Sequence, residues 1–216
     1  MTGAVGQAFR RRPVAPWIAT AAGVAIVAHD YLAERYGDAA GRAWPIGAAL
    51  VLYALLARGD LAALGLRLRP AQGWKYWLKA TLVLGLVAAG ASAVMAGVLT
   101  SLGFELRAPR ITGAELGGRL LRGCVTAPLL EEGLYRFVLC TPAAATAGAA
   151  GTVLVSGFAF GALHVLYGSA GPDNLIAGFI LGWAYLRSGT ILVPVLLHAL
   201  GNLCVYLLQY AWSVAG

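Results

Sequence analysis

Apolar runs of near-uniform length, broken by short charged or Gly/Pro-bearing stretches, set the pattern of this sequence. About 20 apolar residues are needed to cross a bilayer as a helix. On that measure seven segments stand out, near 14–33, 40–57, 77–100, 119–140, 143–166, 173–188 and 190–213. The pattern predicts an all-α polytopic membrane helix bundle of about seven spans, six to eight being compatible with the crowded second half. It predicts a single membrane domain over 1–216, with no internal repeat. The longest polar connection, 58–76, carries Arg58, Asp60, Arg67, Arg69 and Lys75 around Pro70 and Gly73. It is expected along the cytoplasmic surface, with Trp74, Tyr76 and Trp77 at headgroup level.

Composition strengthens this reading. The chain is 60% hydrophobic and 12% charged, and its mean hydropathy is +0.76. A soluble domain carries about 25% charged residues, so this chain has too little polar surface to face water on all sides. The formal net charge of +7 does not point to nucleic acid, because the basic residues sit at the ends of apolar blocks, as membrane anchors do. Arg10, Arg11 and Arg12 before the first block resemble a signal peptide. The block is too long for a signal-peptide core and lacks a cleavage site, so a retained first span is expected. Cys124, Cys140 and Cys204 lie in apolar surroundings without CxxC spacing and read as packing residues. The 29 glycines fit close helix packing in lipid.

An ionisable side chain within a membrane span is costly and therefore marks a candidate site. Three places qualify. APLLEEGLYRFVL holds Glu131, Glu132 and Arg136; SGFAFGALHV holds Phe160 and His164; VPVLLHALGNL holds His198 and Asn202. Each contains a pair four residues apart, hence on one helix face. Glu131 and Glu132 diverge by about 100° around a helix. The economical division pairs Glu132 with Arg136, limiting the cost of burying both charges, and leaves Glu131 to meet something else. If the three helices pack together, Glu131, His164, His198 and Asn202 converge on one polar cavity. A carboxylate and a histidine can then deprotonate a water for attack on a carbonyl, while a second histidine and an amide donate to the oxyanion.

EEGLYR at 131–136, FGALH at 160–164 and HALGN at 198–202 resemble the EExxxR, FxxxH and HxxxN motifs of the CAAX-protease and bacteriocin-processing family of intramembrane proteases, which includes the type II CAAX prenyl endopeptidases. The resemblance covers about residues 115–210, the expected catalytic core, with the motifs in order and no departure at the motif positions. It implies that Glu131 activates water with His164 as partner. It further implies that His198 and Asn202 stabilise the tetrahedral intermediate, with Glu132 and Arg136 in support. Phe160 is expected to pack against the site. The N-terminal 110 residues match nothing specific.

No cofactor is expected. The alternative is Zn²⁺ held by Glu131, His164 and His198 with an open position for water, although the HExxH arrangement is absent. His29 and Asp30 read as interfacial, and Glu115, Arg119 and Arg122 as the solvated face of an amphipathic lead-in to the fourth span. Asp173 and Asn174, after Gly171 and Pro172, read as a helix N-cap.

The expected function is intramembrane endopeptidase action on a membrane-anchored, lipid-modified or leader- or sorting-signal-bearing protein substrate. Ala-, Gly- and Arg-rich usage suggests a bacterial source, and so a multi-pass protein of the inner membrane acting on a sorting signal or secreted peptide. The alternatives are a non-catalytic protein of the same fold, acting in peptide-toxin immunity or assembly, and a small proton-coupled transporter. The lack of an inverted repeat counts against the transporter.

Overall fold

The computed structural model describes residues 5–104, 110–168 and 172–215. These are helical almost throughout and contain no strand, only an isolated antiparallel bridge between Leu66 and Thr190. The helices are α1 (Gln7–Arg10), α2 (Ala15–Arg35), α3 (Ala39–Leu56), α4 (Trp74–Ser101), α5 (Gly113–Leu121), α6 (Ala127–Glu132), α7 (Thr141–Thr146), α8 (Gly148–Leu166), α9 (Pro172–Ser188) and α10 (Leu192–Ala215). Three are long and apolar enough to cross a membrane: Trp74–Ser101, Gly148–Leu166 and Leu192–Val214. A fourth apolar helix, Ala40–Leu56, is shorter.

The expected span 119–140 is not a plain α-helix. Between α5 and α6 the backbone is π-helical over Arg122–Thr126, and it is π-helical again over Gly133–Cys140 before α7. Each π segment stops one residue short of the residue preceding a proline, Pro128 or Pro142. A proline lacks the N–H of the i→i−4 bond, and its ring collides with the carbonyl four residues back. Widening the turn before it relieves both problems. The expected span 143–166 divides as well, with α7 and α8 meeting at Gly148 (φ 70°). Helix α4 starts at Trp74, earlier than expected.

The chain forms two compact units. The first comprises Met1–Ala71 with Pro128–Leu196. In it α2 and α3 form a hairpin through Gly37 (φ 69°), with the Asp38 carboxylate capping α3 by accepting from the Gly41 N–H at 2.8 Å. The second π segment is the buried centre: Leu134, Tyr135, Arg136 and Val138 are fully enclosed. Tyr53 of α3 ties it to α2, its hydroxyl lying 2.8 Å from the Ala19 carbonyl and 2.9 Å from that of Val138. The polar stretch after α3 docks on the turn between α9 and α10. The Ile191 N–H donates to Gly65 O (2.8 Å), and the Ala71 N–H donates to Ser188 O (2.8 Å).

Helices α8 and α9 approach most closely through Gly157 and Gly161 on one and Gly178 and Gly182 on the other. Small residues four apart let helix backbones meet in lipid. A Cβ on Gly178 would stand 2.9 Å from Gly157 Cα and 2.8 Å from Phe160 Cβ. Gly178→Ala is therefore expected to destabilise the protein by about 1–3 kcal/mol, the usual cost of overpacking. Thermal unfolding in detergent checks it; an unchanged midpoint would contradict the close approach.

The second unit comprises Gln72–Ala127 with Leu197–Gly216. Its α5 begins with a capping box between Thr112 and Glu115, and hydrogen bonds from Thr112 hold the Glu115 carboxyl below its usual range. The Ile111 N–H donates to Ser213 Oγ at 2.9 Å, and Gly123 leaves room for the Tyr206 ring, which a Cβ would strike at 2.2 Å. Trp77, expected at headgroup level, is buried within the protein, its indole N–H donating to Gln72 at 3.2 Å. Trp74 and Tyr76 are exposed. Asp173 and Asn174 lie in the first turn of α9 and not at its cap; Gly171, the residue before the helix, lies outside the described residues.

Candidate active site

Glu131 and Glu132 close α6 and face different partners. Glu132 is completely buried, as is Arg136. Arg136 donates through Nε to Glu132 Oε2 (2.7 Å) and through Nη2 to Oε1 (3.4 Å), while Nη1 donates to Ser156 Oγ at 2.5 Å. The Ser156 hydroxyl in turn donates to the Gly178 carbonyl at 2.9 Å. The guanidinium also lies over the rings of Phe160 (5.2 Å) and Tyr135 (5.7 Å). Both charges are thus compensated, the condition for burying them at all. A guanidinium suits this place because its flat fork serves the carboxylate and the serine at once.

Glu131 turns to α8, where its Oε2 lies 3.7 Å from His164 Nε2. That is too long for a direct hydrogen bond, yet one water can sit within about 2.8 Å of both atoms. Both side chains keep a little exposure, 15% for Glu131 and 14% for His164. The other imidazole nitrogen settles the ring's proton. Nδ1 is 2.8 Å from the Phe160 carbonyl, which can only accept, so Nδ1 is the donor. In the neutral ring Nε2 is then a lone-pair acceptor facing Glu131. A water between the two gives one proton to each and turns a lone pair outward.

Phe160 joins the two halves of this arrangement. Its ring stacks on His164 (centroids 4.3 Å apart, planes 24°) and packs against Tyr135 at 4.8 Å. Ser156, Phe160 and His164 are spaced by four along α8 and so form one face. Ser156 went unremarked in the sequence, although that spacing marks it.

His198 and Asn202 lie on α10, in the second unit, one turn apart. The Asn202 amide donates to the Gly123 carbonyl at 2.6 Å, tying α10 to the first π segment. Among the described residues no three His, Cys, Asp or Glu side chains group so as to hold a metal ion.

Asp30, expected at the interface, is enclosed within the protein. It is 2% exposed and is bonded by Arg42 and by the hydroxyl of Tyr167, three residues beyond His164.

Residues 115–204 match the model of a family described as type II CAAX prenyl endopeptidase, Rce1-like. All three motifs lie inside the matched stretch, and this is the family they resemble. That description is of a protease family, and three of the described helices are long and apolar enough to cross a membrane. No curated protein and no solved structure matches the chain.

Proposed function

We propose that this chain, whose residues 115–204 match the Rce1-like type II CAAX prenyl endopeptidase model, hydrolyses a peptide bond by water held between Glu131 and His164. The observation that carries the reading is the 3.7 Å approach of Glu131 Oε2 to His164 Nε2 with Nδ1 committed to a backbone carbonyl. Two acceptors facing one small space suit a water with both protons engaged and its lone pair free for a carbonyl carbon. As the water attacks, the proton it loses passes to the Glu131 carboxylate. The protonated group then delivers that proton to the departing amine. His164 keeps the water oriented by accepting its other hydrogen at Nε2.

The roles of His198 and Asn202 in stabilising the oxyanion rest on the third motif alone. The substrate is a membrane-anchored, lipid-modified or leader- or sorting-signal-bearing protein, since a site among apolar helices meets peptide bonds that the bilayer brings to it. The setting proposed is a bacterial inner membrane.

The test is cleavage of membrane-tethered peptides by the protein in liposomes. Hydrolysis by the wild type that His164→Ala lacks supports the reading; hydrolysis undiminished in His164→Ala contradicts it. The chemistry proposed is metal-free, so cleavage is expected to persist in excess chelator. Loss of activity that added Zn²⁺ restores would overturn that part.

A further inference from the structure

Asp30 lies near the end of α2, 2% exposed, and takes no part in the chemistry above. A carboxylate so enclosed persists only if donors surround it. Arg42, early in α3, donates through Nε to Oδ1 (2.8 Å) and through Nη2 to Oδ2 (3.3 Å). The Tyr167 hydroxyl donates to Oδ2 at 2.7 Å. Arg42 also pairs with Glu34 and stands 5.9 Å from the centre of the Tyr167 ring. Tyr31 stacks on that same ring, centroids 6.1 Å apart and planes 16° from parallel. Charge, hydrogen bond and stacking from the α2–α3 hairpin thus all converge on one tyrosine.

Tyr167 is the residue on which α8 ends. Its backbone N–H bonds the Leu163 carbonyl at 2.8 Å, and Gly168 follows in the left-handed conformation (φ 78°). His164 sits in the last turn before it, their rings edge-on at 6.3 Å. Last turns fray, because their carbonyls lack intrahelical partners and few contacts hold them. A histidine that must share a water with a carboxylate on another helix cannot tolerate that, since displacements of about 1 Å are enough to slow such reactions markedly. An apolar contact would cover Tyr167 without fixing its direction; a short charge-assisted hydrogen bond does both.

We infer that Asp30, held by Arg42, is a positioning residue that pins the last turn of α8 through the Tyr167 hydroxyl and so sets His164 against Glu131. The inference rests on the Glu131–His164 reading, and its test separates the two. Tyr167→Phe loses one hydroxyl and keeps the ring; Asp30→Asn keeps the shape and loses the charge. Peptide-resolved acylation by diethyl pyrocarbonate of the full-length protein in detergent reports on each histidine without any substrate. In both variants the His164 rate is expected to rise several-fold while that of His198 stays at the wild-type value. In the cleavage assay kcat is expected to fall several-fold with KM unchanged, and the double variant to be no worse than the poorer single one.

An unchanged His164 rate in both variants would overturn the inference. So would an equal rise at His164 and His198, which marks general loosening. If Glu131→Gln is inactive while Tyr167→Phe and Asp30→Asn keep wild-type labelling and kcat, the positioning role alone fails. If labelling at His164 rises selectively but Glu131→Gln is fully active, the clamp stands and the catalytic reading falls.

Discussion

Glu131→Gln is expected to lower the rate of peptide hydrolysis by about two to four orders of magnitude, the range that a positioned general base supplies, with the protein still folded in the membrane. Glutamine matches glutamate in size, so packing around α6 is preserved. What it lacks is the ability to take a proton. In place of one carboxylate oxygen it also presents an amide N–H, which turns the water's proton away. The neighbouring ion pair is untouched, because Glu132, and not Glu131, carries the bonds to Arg136. Removing His164 as well is expected to add little, since residues that act as one unit are strongly non-additive. Turnover near the wild-type value in Glu131→Gln would end the general-base assignment.

Arg136→Met is expected to have the largest effect on stability, about 3–5 kcal/mol, the cost of breaking a buried pair by removing one partner. It leaves Glu132 fully enclosed without a counter-charge and deprives Ser156 of its donor. Glu132→Gln with Arg136→Met is expected to cost less than Arg136→Met alone, because no uncompensated charge then remains. Arg136→Lys should fall between, since an ammonium cannot hold a two-oxygen carboxylate contact and a serine in one plane. Thermal unfolding in detergent reads all three, and an Arg136→Met midpoint equal to the wild type would refute the pair's structural role.

Much of the arrangement around the first motif was legible in the sequence. Glu132 and Arg136 stand four apart, and adjacent positions on a helix cannot share a partner, so Glu131 had to face elsewhere. That geometry survives in a backbone that is partly π-helical. The π segments themselves escaped the reading because apolar periodicity says where a helix runs and not how tightly it winds. Pro128 and Pro142, inside otherwise continuous helical pattern, were the available signal. In the same stretch the apolar run holds one span-length helix, Gly148–Leu166, with a short helix set off before it at Gly148.

The burial of Asp30 was hidden for a different reason. A charged residue near the end of an apolar block is ordinarily an anchor at the interface, and nothing local distinguishes one that is buried. Its partners, Arg42 and Tyr167, lie 12 and 137 residues away. The burial of Trp77 was hidden on the same grounds, as an aromatic beside basic residues. Ser156 by contrast was recoverable. It sits one turn before Phe160 and two before His164, and a polar side chain on the face of a candidate site invites a partner.

The most direct test of hydrolysis at Glu131 needs no prior choice of substrate. Membrane fractions of a host lacking the protein are compared after expressing the wild-type chain and Glu131→Gln at equal levels, with new protein termini mapped by mass spectrometry. New termini confined to one or a few membrane-anchored or signal-bearing proteins, present with the wild type and absent with Glu131→Gln, are the predicted result. The same new termini in both samples would contradict the account.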